Sequence, residues 1–357
     1  MNILELKDVK IVNSLSFKTE NITFSVKKGE NICVVGPSGC GKTTILRSIA
    51  GFVNIVDGEI NYNGNLISTS TFHVPPENRR IGMVFQEPSL FPHLTIIQNI
   101  QAGLLKYDKN DTEQNKIIYD LISRMNLNNL LTKYPHEVSG GEQQRTALIR
   151  SIVSKPNLLL MDEPFSSLDF ELREKLCDEL KSILAFYNIS SIMVTHDQND
   201  AFAFGDRIIV LNKGRIIQND NPYNVYHKPK TRFVADFIGS GCFIKGNIIS
   251  ADKLKTEILT FKLENEFANL IGSNVDVLIR PDDVIHDKSS KIKVIIKKKI
   301  FKGAEIMYSL KLGNSLEILG LFPSHLNFDV GEQIGVKLEV DHLVAFRSLD
   351  DYDERVI

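Results

Sequence analysis

The sequence predicts an α/β domain followed by a small all-β barrel domain, and three observations support this division. Over the first part of the 357 residues, short apolar runs are each followed by a polar or glycine-rich loop and a helical pattern. One of these loops, GPSGCGKTT, lies between an apolar run and an amphipathic pattern, an order of strand, loop and helix that typifies α/β folds. After residue 240 the pattern changes to short alternating strands separated by turn residues, as in small barrels.

Composition limits the classes of function. Apolar residues make up 43% and charged residues 24% of the chain, the ordinary balance of a globular protein, and the length suggests about two domains. The net charge of −2 gives no general attraction to nucleic acid or anionic lipid. Cys33, Cys40, Cys177 and Cys242 form no CxxC pair, which favours reduced thiols in a cytosolic protein. The N-terminal segment lacks the apolar region of a signal peptide, and no apolar run reaches the roughly 18 residues of a membrane span, so any membrane role is expected to depend on a partner.

The first phosphate-binding element follows the apolar run NICVV at residues 31–35. Gly36, Gly41, Lys42 and Thr43 fit the P-loop pattern between a strand and a helix, which predicts an α/β P-loop NTPase. Lys42 is expected to reach the β and γ phosphates, and Thr43 to offer a hydroxyl to Mg²⁺. The alternative is a glycine-rich turn without a ligand, which this spacing disfavours. The predicted ATP-binding residues are Gly36, Pro37, Ser38, Gly39, Cys40, Gly41, Lys42, Thr43 and Thr44, with the Cys40 side chain expected to be a bystander.

An acidic pair follows a second buried run, in LLLMDEP at residues 158–164. Asp162 lies where α/β sheets bind ligands, at the C-terminal end of a strand, and is predicted to hold Mg²⁺. Consecutive side chains in a strand point to opposite faces, so Glu163 converges with Asp162 only if the strand ends here, as Pro164 suggests. Glu163 is the candidate general base for the attacking water. An exposed acidic turn is the less favoured alternative.

Two further polar residues follow apolar runs. His196 comes after the run in SIMVTHDQ at residues 191–198, and Gln86 follows the run at residues 81–85. His196 is predicted to hydrogen-bond the γ phosphate or to fix the water, and Gln86 to touch both Mg²⁺ and the water. A lone histidine or glutamine is often only a core or surface residue, so the position of each after a strand is the argument for a catalytic role.

A second anion-binding pattern appears in VSGGEQQR at residues 138–145, just before a helical apolar pattern. Small residues with free N–H groups at a helix N-terminus suit a phosphate. The spacing of Ser139 and Glu142 also fits a capping box. A capping box alone does not require Gly140 and Gly141, which disfavour a first helical turn, and the two interpretations are compatible.

The order of these motifs, including SSLD at residues 166–169, resembles the ATP-binding subunit of ABC transporters over about residues 1–238. The resemblance implies a homodimer of cassettes packed head to tail, with each ATP and its Mg²⁺ held between the P-loop of one chain and the signature motif of the other. It assigns the partner's γ phosphate to Ser139, Gly140 and Gly141, with Glu142 beside them. Asp169 is expected at the interface between the two sites.

The sequence departs from the family pattern at two places. Glu142 replaces the usual glutamine, and because a carboxylate near phosphate is unfavourable, it is expected to fold back toward Ser139. Family members usually stack an aromatic residue on adenine, but the matching position here is Asn13. Phe17 is the nearest aromatic candidate, and a core position is an equal alternative for it.

The segment at about residues 88–154 is predicted to be a helical subdomain within the cassette. Its first loop, EPSLFPHLT at residues 87–95, contains Leu90, Phe91 and Leu94. Apolar residues in a loop form either a small satellite core or a docking groove. The family uses this region to receive a helix from a membrane permease, which is the role that the resemblance implies.

The last part of the chain, residues 240–357, is predicted to be an OB-like barrel. The segment LIRPDDV at residues 278–284 resembles the TOBE domain that follows the cassette in some importers. The lysines at 297–299 are interpreted as a solvated face or a protected strand edge, with nucleic-acid binding as the alternative. The acidic tail at 350–354 is expected to be solvated.

The leading functional hypothesis is the motor of an ABC importer. The resemblance implies two permease subunits, an external solute-binding protein that acts indirectly, and a peripheral position on the cytoplasmic face of the inner membrane. Loop similarity favours ferric iron as the solute, while sulfate, polyamine, thiamine and sugar remain open. The alternatives of another class are a soluble ABC ATPase that acts on DNA or ribosomes, and a P-loop kinase of small metabolites. No nucleic-acid partner is expected, because the chain lacks a long coiled-coil insertion and a second P-loop.

Overall fold

The structure, a computed structural model, describes residues 1–14, 17–104, 108–166, 168, 170–263, 271–313 and 316–347. The chain divides into two compact units, Met1–Pro222 and Tyr223–Ile357. The division lies earlier than the predicted domain boundary at 238–240, because two short helices that the sequence interpretation gave to the cassette belong to the second unit. None of the helices in the described part of the chain is long and apolar enough to cross a membrane.

The first unit contains a six-stranded sheet, a four-stranded antiparallel sheet and a two-stranded ribbon. Its strands are β1 (Asn2–Lys10), β2 (Val12–Ser14), β3 (Phe17–Lys18), β4 (Ile22–Lys27), β5 (Asn31–Val35), β6 (Asp57–Tyr62), β7 (Asn65–Ser68), β8 (Gly82–Val84), β9 (Leu158–Asp162), β10 (Ser190–Val194), β11 (Arg207–Asn212) and β12 (Arg215–Asp220). The six-stranded order is β12-β11-β5-β10-β9-β8. Strands β8, β9, β10, β5 and β11 run parallel, and β12 pairs antiparallel with β11.

The buried runs of the sequence become the middle of this parallel sheet. Every residue of β5, β9 and β10 is buried, as expected of parallel strands covered on both faces. Because parallel strands end at the same edge, their polar C-terminal residues meet there. The helices of this unit are α1 (Lys42–Ala50), α2 (Ile96–Gln101), α3 (Thr112–Arg124), α4 (Gly140–Ile152), α5 (Phe170–Tyr187) and α6 (Gln198–Phe204).

In its described residues, the second unit contains two short α-helices and two five-stranded antiparallel sheets. Its helices are α7 (Pro222–His227) and α8 (Arg232–Ile238), of which α7 begins one residue before the division. Its strands are β13 (Cys242–Ser250), β14 (Lys253–Thr256), β15 (Thr260–Lys262), β16 (Asn274–Ile279), β17 (Val284–His286), β18 (Lys293–Phe301), β19 (Glu305–Leu312), β20 (Leu316–Pro323), β21 (Gln333–Leu338) and β22 (Ala345–Arg347). One buried apolar cluster draws on both sheets, including Ile244 and Val277 from one and Val294 and Tyr308 from the other.

The lysines at 297–299 lie on β18, beyond the point where its pairing with β21 ends. Strand β18 pairs with β21 at residues 293–295 and with β19 at residues 295–301, so the lysines have a paired strand on one side, in keeping with a strand edge. Lys297 and Lys298 are exposed, in keeping with a solvated face. The ammonium of Lys299 instead binds the carbonyl of Phe328 at 3.0 Å and the Asp329 carboxylate at 3.2 Å. The acidic tail at 350–354 lies outside the described residues.

Candidate active site

The loop between β5 and α1 encloses a cavity at the end of the parallel sheet. Gly39 and Gly41 have φ angles of 78° and 106°, a left-handed backbone that side chains other than glycine rarely adopt. Gly36 has no room for a side chain, because an added Cβ would lie 2.1 Å from the carbonyl oxygen of Leu211. The cavity has a volume of about 400 Å³ and is lined by Ser38, Gly39, Gly41, Lys42, Thr43, Thr44 and Glu163.

Lys42 lies at the base of this loop with its ammonium directed at backbone oxygens. Its Nζ donates to the carbonyls of Gly36 at 2.8 Å and Pro37 at 3.1 Å, and the side chain is buried. These bonds hold a positive charge at the entrance of a helix whose first N–H groups are free. Cys40 points the other way: it belongs to the apolar core, and burial raises the pKa of its thiol, which suits a bystander.

The carboxylate of Asp162 meets the first turn of α1 at the end of β9. Thr43 donates its hydroxyl to Asp162 Oδ1 at 2.9 Å. Burial raises the pKa of Asp162, while the Thr43 hydrogen bond opposes that shift. A hydroxyl and a carboxylate in contact beside a phosphate loop are the oxygen ligands that Mg²⁺ prefers, so the residues present fit the predicted metal.

Glu163 turns toward the same cavity because the strand ends at Asp162. Its φ is 47°, and its N–H donates to the carbonyl of Val194 at the end of β10, at 2.9 Å. This left-handed residue breaks the alternation of the strand. Glu163 lines the cavity, and Asp162 contacts Thr43, which lines it too. The carboxylate side chain is only 20% exposed.

Gln86 and His196 converge on one oxygen of Glu163. The amide nitrogen of Gln86 donates to Glu163 Oε2 at 3.2 Å. His196 Nδ1 lies 3.1 Å from the same oxygen, although the ring is more exposed than its partner. Three residues that are far apart in sequence are therefore brought together at the end of strands β8, β9 and β10. A carboxylate held by two polar side chains can orient a water and accept its proton.

The residues of the second anion-binding pattern form the capped N-terminus of α4. Ser139 is the N-cap of α4 and accepts from the Glu142 N–H at 3.4 Å. The Glu142 carboxylate folds back as expected, accepting from the Ser139 N–H at 2.7 Å and its hydroxyl at 2.9 Å. A Cβ added to Gly140 would meet nothing within 4 Å, so this end of the helix is open. None of these residues lines the cavity above the P-loop.

Some predicted site residues lie outside the part of the chain that the structure describes. Asp169, expected at a dimer interface, is one of them, and the side chains of Asn13 and Phe17, considered for adenine stacking, are others. The apolar loop at 87–95 is described. Phe91 is 45% exposed there, while Asn99 holds the loop by donating to the carbonyls of Phe91 and Leu94.

Two arginines that sequence reasoning did not single out hold the loops around the site. Arg150 on α4 donates to the backbone carbonyls of Pro88 and Ser89, at 3.1 and 3.0 Å. Arg173 on α5 forms an ion pair with Asp197. Arginines on amphipathic helices mostly face water, so the sequence carries no local sign of either contact. For the contact of Arg173, the only signal in the sequence is that this residue follows shortly after SSLD at residues 166–169.

Comparison with protein families matches both parts of the chain. A family model described as ABC transporter matches residues 19–166, and one described as TOBE domain matches residues 277–346. These matches confirm the predicted fold class, an α/β P-loop cassette followed by an all-β domain.

Several relatives match this chain over most of their own length. The chain is 35% identical over 353 residues to a spermidine/putrescine import ATP-binding protein of Lawsonia intracellularis, covering 94% of each chain. It is 36% identical over 338 residues to an Fe(3+) ions import ATP-binding protein of Fusobacterium nucleatum, covering 92% of this chain and 88% of the relative. Names of spermidine/putrescine import proteins recur among other relatives of similar identity.

A solved structure extends the similarity to a nucleotide-bound state. An ATP-binding cassette solved as a dimer in a post-hydrolysis state with ADP and Pi is 29% identical, with a TM-score of 0.54. The match covers 61% of this chain and 98% of that cassette. The similarity therefore lies in one part of the chain and spans nearly the whole of the other protein.

Proposed function

The chain belongs to the ATP-binding subunits of ABC importers that carry a TOBE domain, and from this premise we propose how it works and what it helps to import. Two copies pack head to tail and close on two ATP molecules at their interface. Closure and hydrolysis drive two membrane permease subunits on the cytoplasmic face of the membrane. The solute arrives through an external binding protein and never touches this subunit.

The observation that supports a shared site is the separation of its two phosphate-binding elements. The cavity is lined by the P-loop and Glu163, whereas Ser139 and Gly140 form an open, capped helix start that contributes nothing to it. A helix N-terminus with an uncrowded glycine suits a γ phosphate presented by another molecule. The related cassette solved as a dimer with ADP and Pi is consistent with this arrangement.

Within one half-site, each residue has a defined task. Lys42 exchanges its two carbonyl partners for oxygens of the β and γ phosphates. Thr43 and Asp162, joined at 2.9 Å, would hold Mg²⁺ together with Gln86. A magnesium ion at this place would supply positive charge to offset that of the phosphate oxygens.

Glu163 is the general base in this proposal. Its Oε2 atom, held by Gln86 at 3.2 Å and His196 at 3.1 Å, takes a proton from the attacking water as the water oxygen bonds to the γ phosphorus. The bond between that phosphorus and the bridging oxygen breaks, and ADP leaves with the electron pair. Gln86 and His196 fix the direction of the carboxylate.

For the solute, we favour a polyamine of the spermidine or putrescine class over ferric iron. Similarity of loops to those of ferric-iron import subunits favours iron, and a relative named as an Fe(3+) ions import protein is 36% identical. Polyamine names nevertheless recur among relatives that match over nearly the whole chain.

The shared site is tested by dilution and by Ser139→Arg. Specific ATPase activity is expected to fall as the chain is diluted into its monomeric form, measured by sedimentation alongside phosphate release. Ser139→Arg places a long cationic side chain at the open helix start, and is expected to abolish hydrolysis while nucleotide still binds the P-loop. Full activity of a monomer, or normal hydrolysis by Ser139→Arg, would refute the shared site.

The solute is tested by uptake. Cells that lack the gene are expected to lose high-affinity uptake of labelled spermidine or putrescine and to regain it with the native chain, but not with Glu163→Gln. Uptake of labelled ferric iron serves as the parallel measurement. Loss of iron uptake with normal polyamine uptake would reverse the assignment.

A further inference from the structure

Arg173 on α5 is bound by two loops that border the candidate active site. Its NH1 group pairs with the carboxylate of Asp197, and its NH2 group donates to the carbonyl of Leu168 at 3.3 Å. Its Nε atom lies 3.9 Å from Asp200 Oδ1. One guanidinium is thus shared by the loop after Glu163 and by the turn that follows β10.

The turn after β10 contains His196 and is closed by its own hydrogen bonds. The Asp197 N–H donates to the Thr195 hydroxyl at 3.0 Å, and that hydroxyl donates to Asp200 Oδ2 at 3.2 Å. Asp197 also caps α6. Asp200 lies in the first turn of that helix, so two carboxylates lie close together and Arg173 supplies a cation to both. The direction of the His196 ring toward Glu163 depends on this turn.

The loop after Glu163 is tied to the same arginine. The N–H and the hydroxyl of Ser166 both donate to the Glu163 carbonyl, at 3.3 and 3.1 Å. The Leu168 N–H donates to the Phe165 carbonyl at 3.2 Å, and both side chains are buried. At the end of this loop, the Leu168 carbonyl accepts a hydrogen bond from Arg173.

We propose that Arg173 is a positioning residue that fixes His196 relative to Glu163 and links this pair to the loop ending at Leu168. The inference rests on the proposed function, because it gives Glu163 and His196 their parts in hydrolysis. Arg173 does not line the cavity above the P-loop and acts through the two loops. Because residue 168 directly precedes Asp169, movement of that loop during dimer closure is transmitted through Arg173 to His196.

The planar guanidinium suits this task better than another cation does. Its N–H groups point in fixed directions and bind a carboxylate and a carbonyl at once. A lysine has one ammonium, which can pair with Asp197 but does not hold the Leu168 carbonyl in the same fixed geometry. Arg173→Lys is therefore expected to keep the charge and to lose the link between the loops.

The experiment compares Arg173→Gln, Arg173→Lys and the control Lys175→Gln, which removes an exposed cation from the same helix. Arg173→Gln is expected to lower kcat for ATP by about 10- to 100-fold, the size of effect that a misplaced catalytic group produces. The KM for ATP should change less than about threefold, because the P-loop is untouched. Arg173→Lys should fall between Arg173→Gln and the native chain, and Lys175→Gln should match the native chain.

The decisive measurement is the double variant with His196→Ala. If Arg173 acts through His196, adding Arg173→Gln to His196→Ala costs little further activity, since neighbours that act as a unit are not additive. Fully additive losses, or native kcat in Arg173→Gln, would overturn the proposal. Should Arg173→Gln unfold, as its melting temperature would show, the same cycle with Arg173→Lys gives the answer. A native chain without ATPase activity refutes the proposed function itself, and this inference with it.

Discussion

Replacing Glu163 with glutamine separates the chemistry of the proposed base from its structural contacts. The carboxylate oxygen Oε2 contacts the Gln86 amide at 3.2 Å and His196 Nδ1 at 3.1 Å. An amide of nearly the same shape can accept from Gln86 and face His196, so the arrangement survives Glu163→Gln. Both residues also adopt the left-handed backbone at this position equally well, so the φ of 47° adds no new strain. What the variant loses is a group that can accept a proton.

The expected loss follows from that single missing function. Removing a positioned general base costs typically about 10²- to 10⁴-fold in rate, or about 3 to 5 kcal/mol in activation free energy. ATP affinity should stay within about threefold of native, because Lys42 and Thr43 bind the phosphates without Glu163. Folding stability should change by less than about 1 kcal/mol, since at most one hydrogen bond is exchanged.

The assay measures three properties of the same preparation. Phosphate release gives kcat, a fluorescent nucleotide gives the dissociation constant, and sedimentation with ATP gives the fraction of dimer. Since hydrolysis is blocked after closure, Glu163→Gln should accumulate as an ATP-bound dimer. Glu113→Gln makes the same chemical change on an exposed side chain and should leave all three properties unchanged.

Two outcomes would contradict this account. A Glu163→Gln variant with native kcat would show that the carboxylate is not the base. A variant that loses ATP binding would show instead that Glu163 organises the phosphate site, and the mechanism would need another proton acceptor.

The remaining predictions concern the second compact unit. The Tyr308 hydroxyl donates to the Leu326 carbonyl at 2.8 Å and accepts from the Phe328 N–H at 3.1 Å, so Tyr308→Phe should lower the free energy of unfolding of this unit by about 1 to 3 kcal/mol in urea; no change would mean that these groups find other partners. Asp283 accepts from the Arg280 N–H at 2.7 Å, and burial raises the pKa of its carboxyl to about 6, above the roughly 3.9 of an unfolded aspartate. The folded state therefore holds this proton more tightly, and the stability it contributes is present below pH 4 and lost as the pH rises through about 6. Asp283→Asn should remove that part of the slope in melting temperature between pH 4 and 7, and an identical slope in both proteins would contradict the assignment.

The sequence was sufficient to predict the strands and helices that carry the nucleotide site. Short apolar runs such as LLLM favour buried strands of a covered sheet, and a P-loop fixes the order of strand, loop and helix around it. Ends of parallel strands share one edge, which is why Asp162, Gln86 and His196 could be placed together in advance. The capped start of α4 was also predictable, because Ser139 and Glu142 interact over three residues of local chain.

Contacts between distant segments had no such local signature. How much of β18 is paired on both sides depends on how far β19 and β21 run beside it, and the residues around the lysines carry no sign of where the β21 pairing ends. Arg173 reaches the turn after His196 only because α5 packs beside α6, and an arginine on a helix looks alike in sequence whether it faces water or a carboxylate. The division at residue 222 likewise depends on where two short helices pack.

From the sequence alone, particular residues were predicted to hold phosphate, metal and water, because those chemistries require particular groups at fixed short spacings. Only the tertiary structure decided that Glu163 would be held from two sides and that one arginine would join the loops behind it. The physical reason is the distance along the chain over which each effect acts. Propensity, capping and periodicity act over a few neighbouring residues, whereas these contacts form only when whole strands and helices pack together.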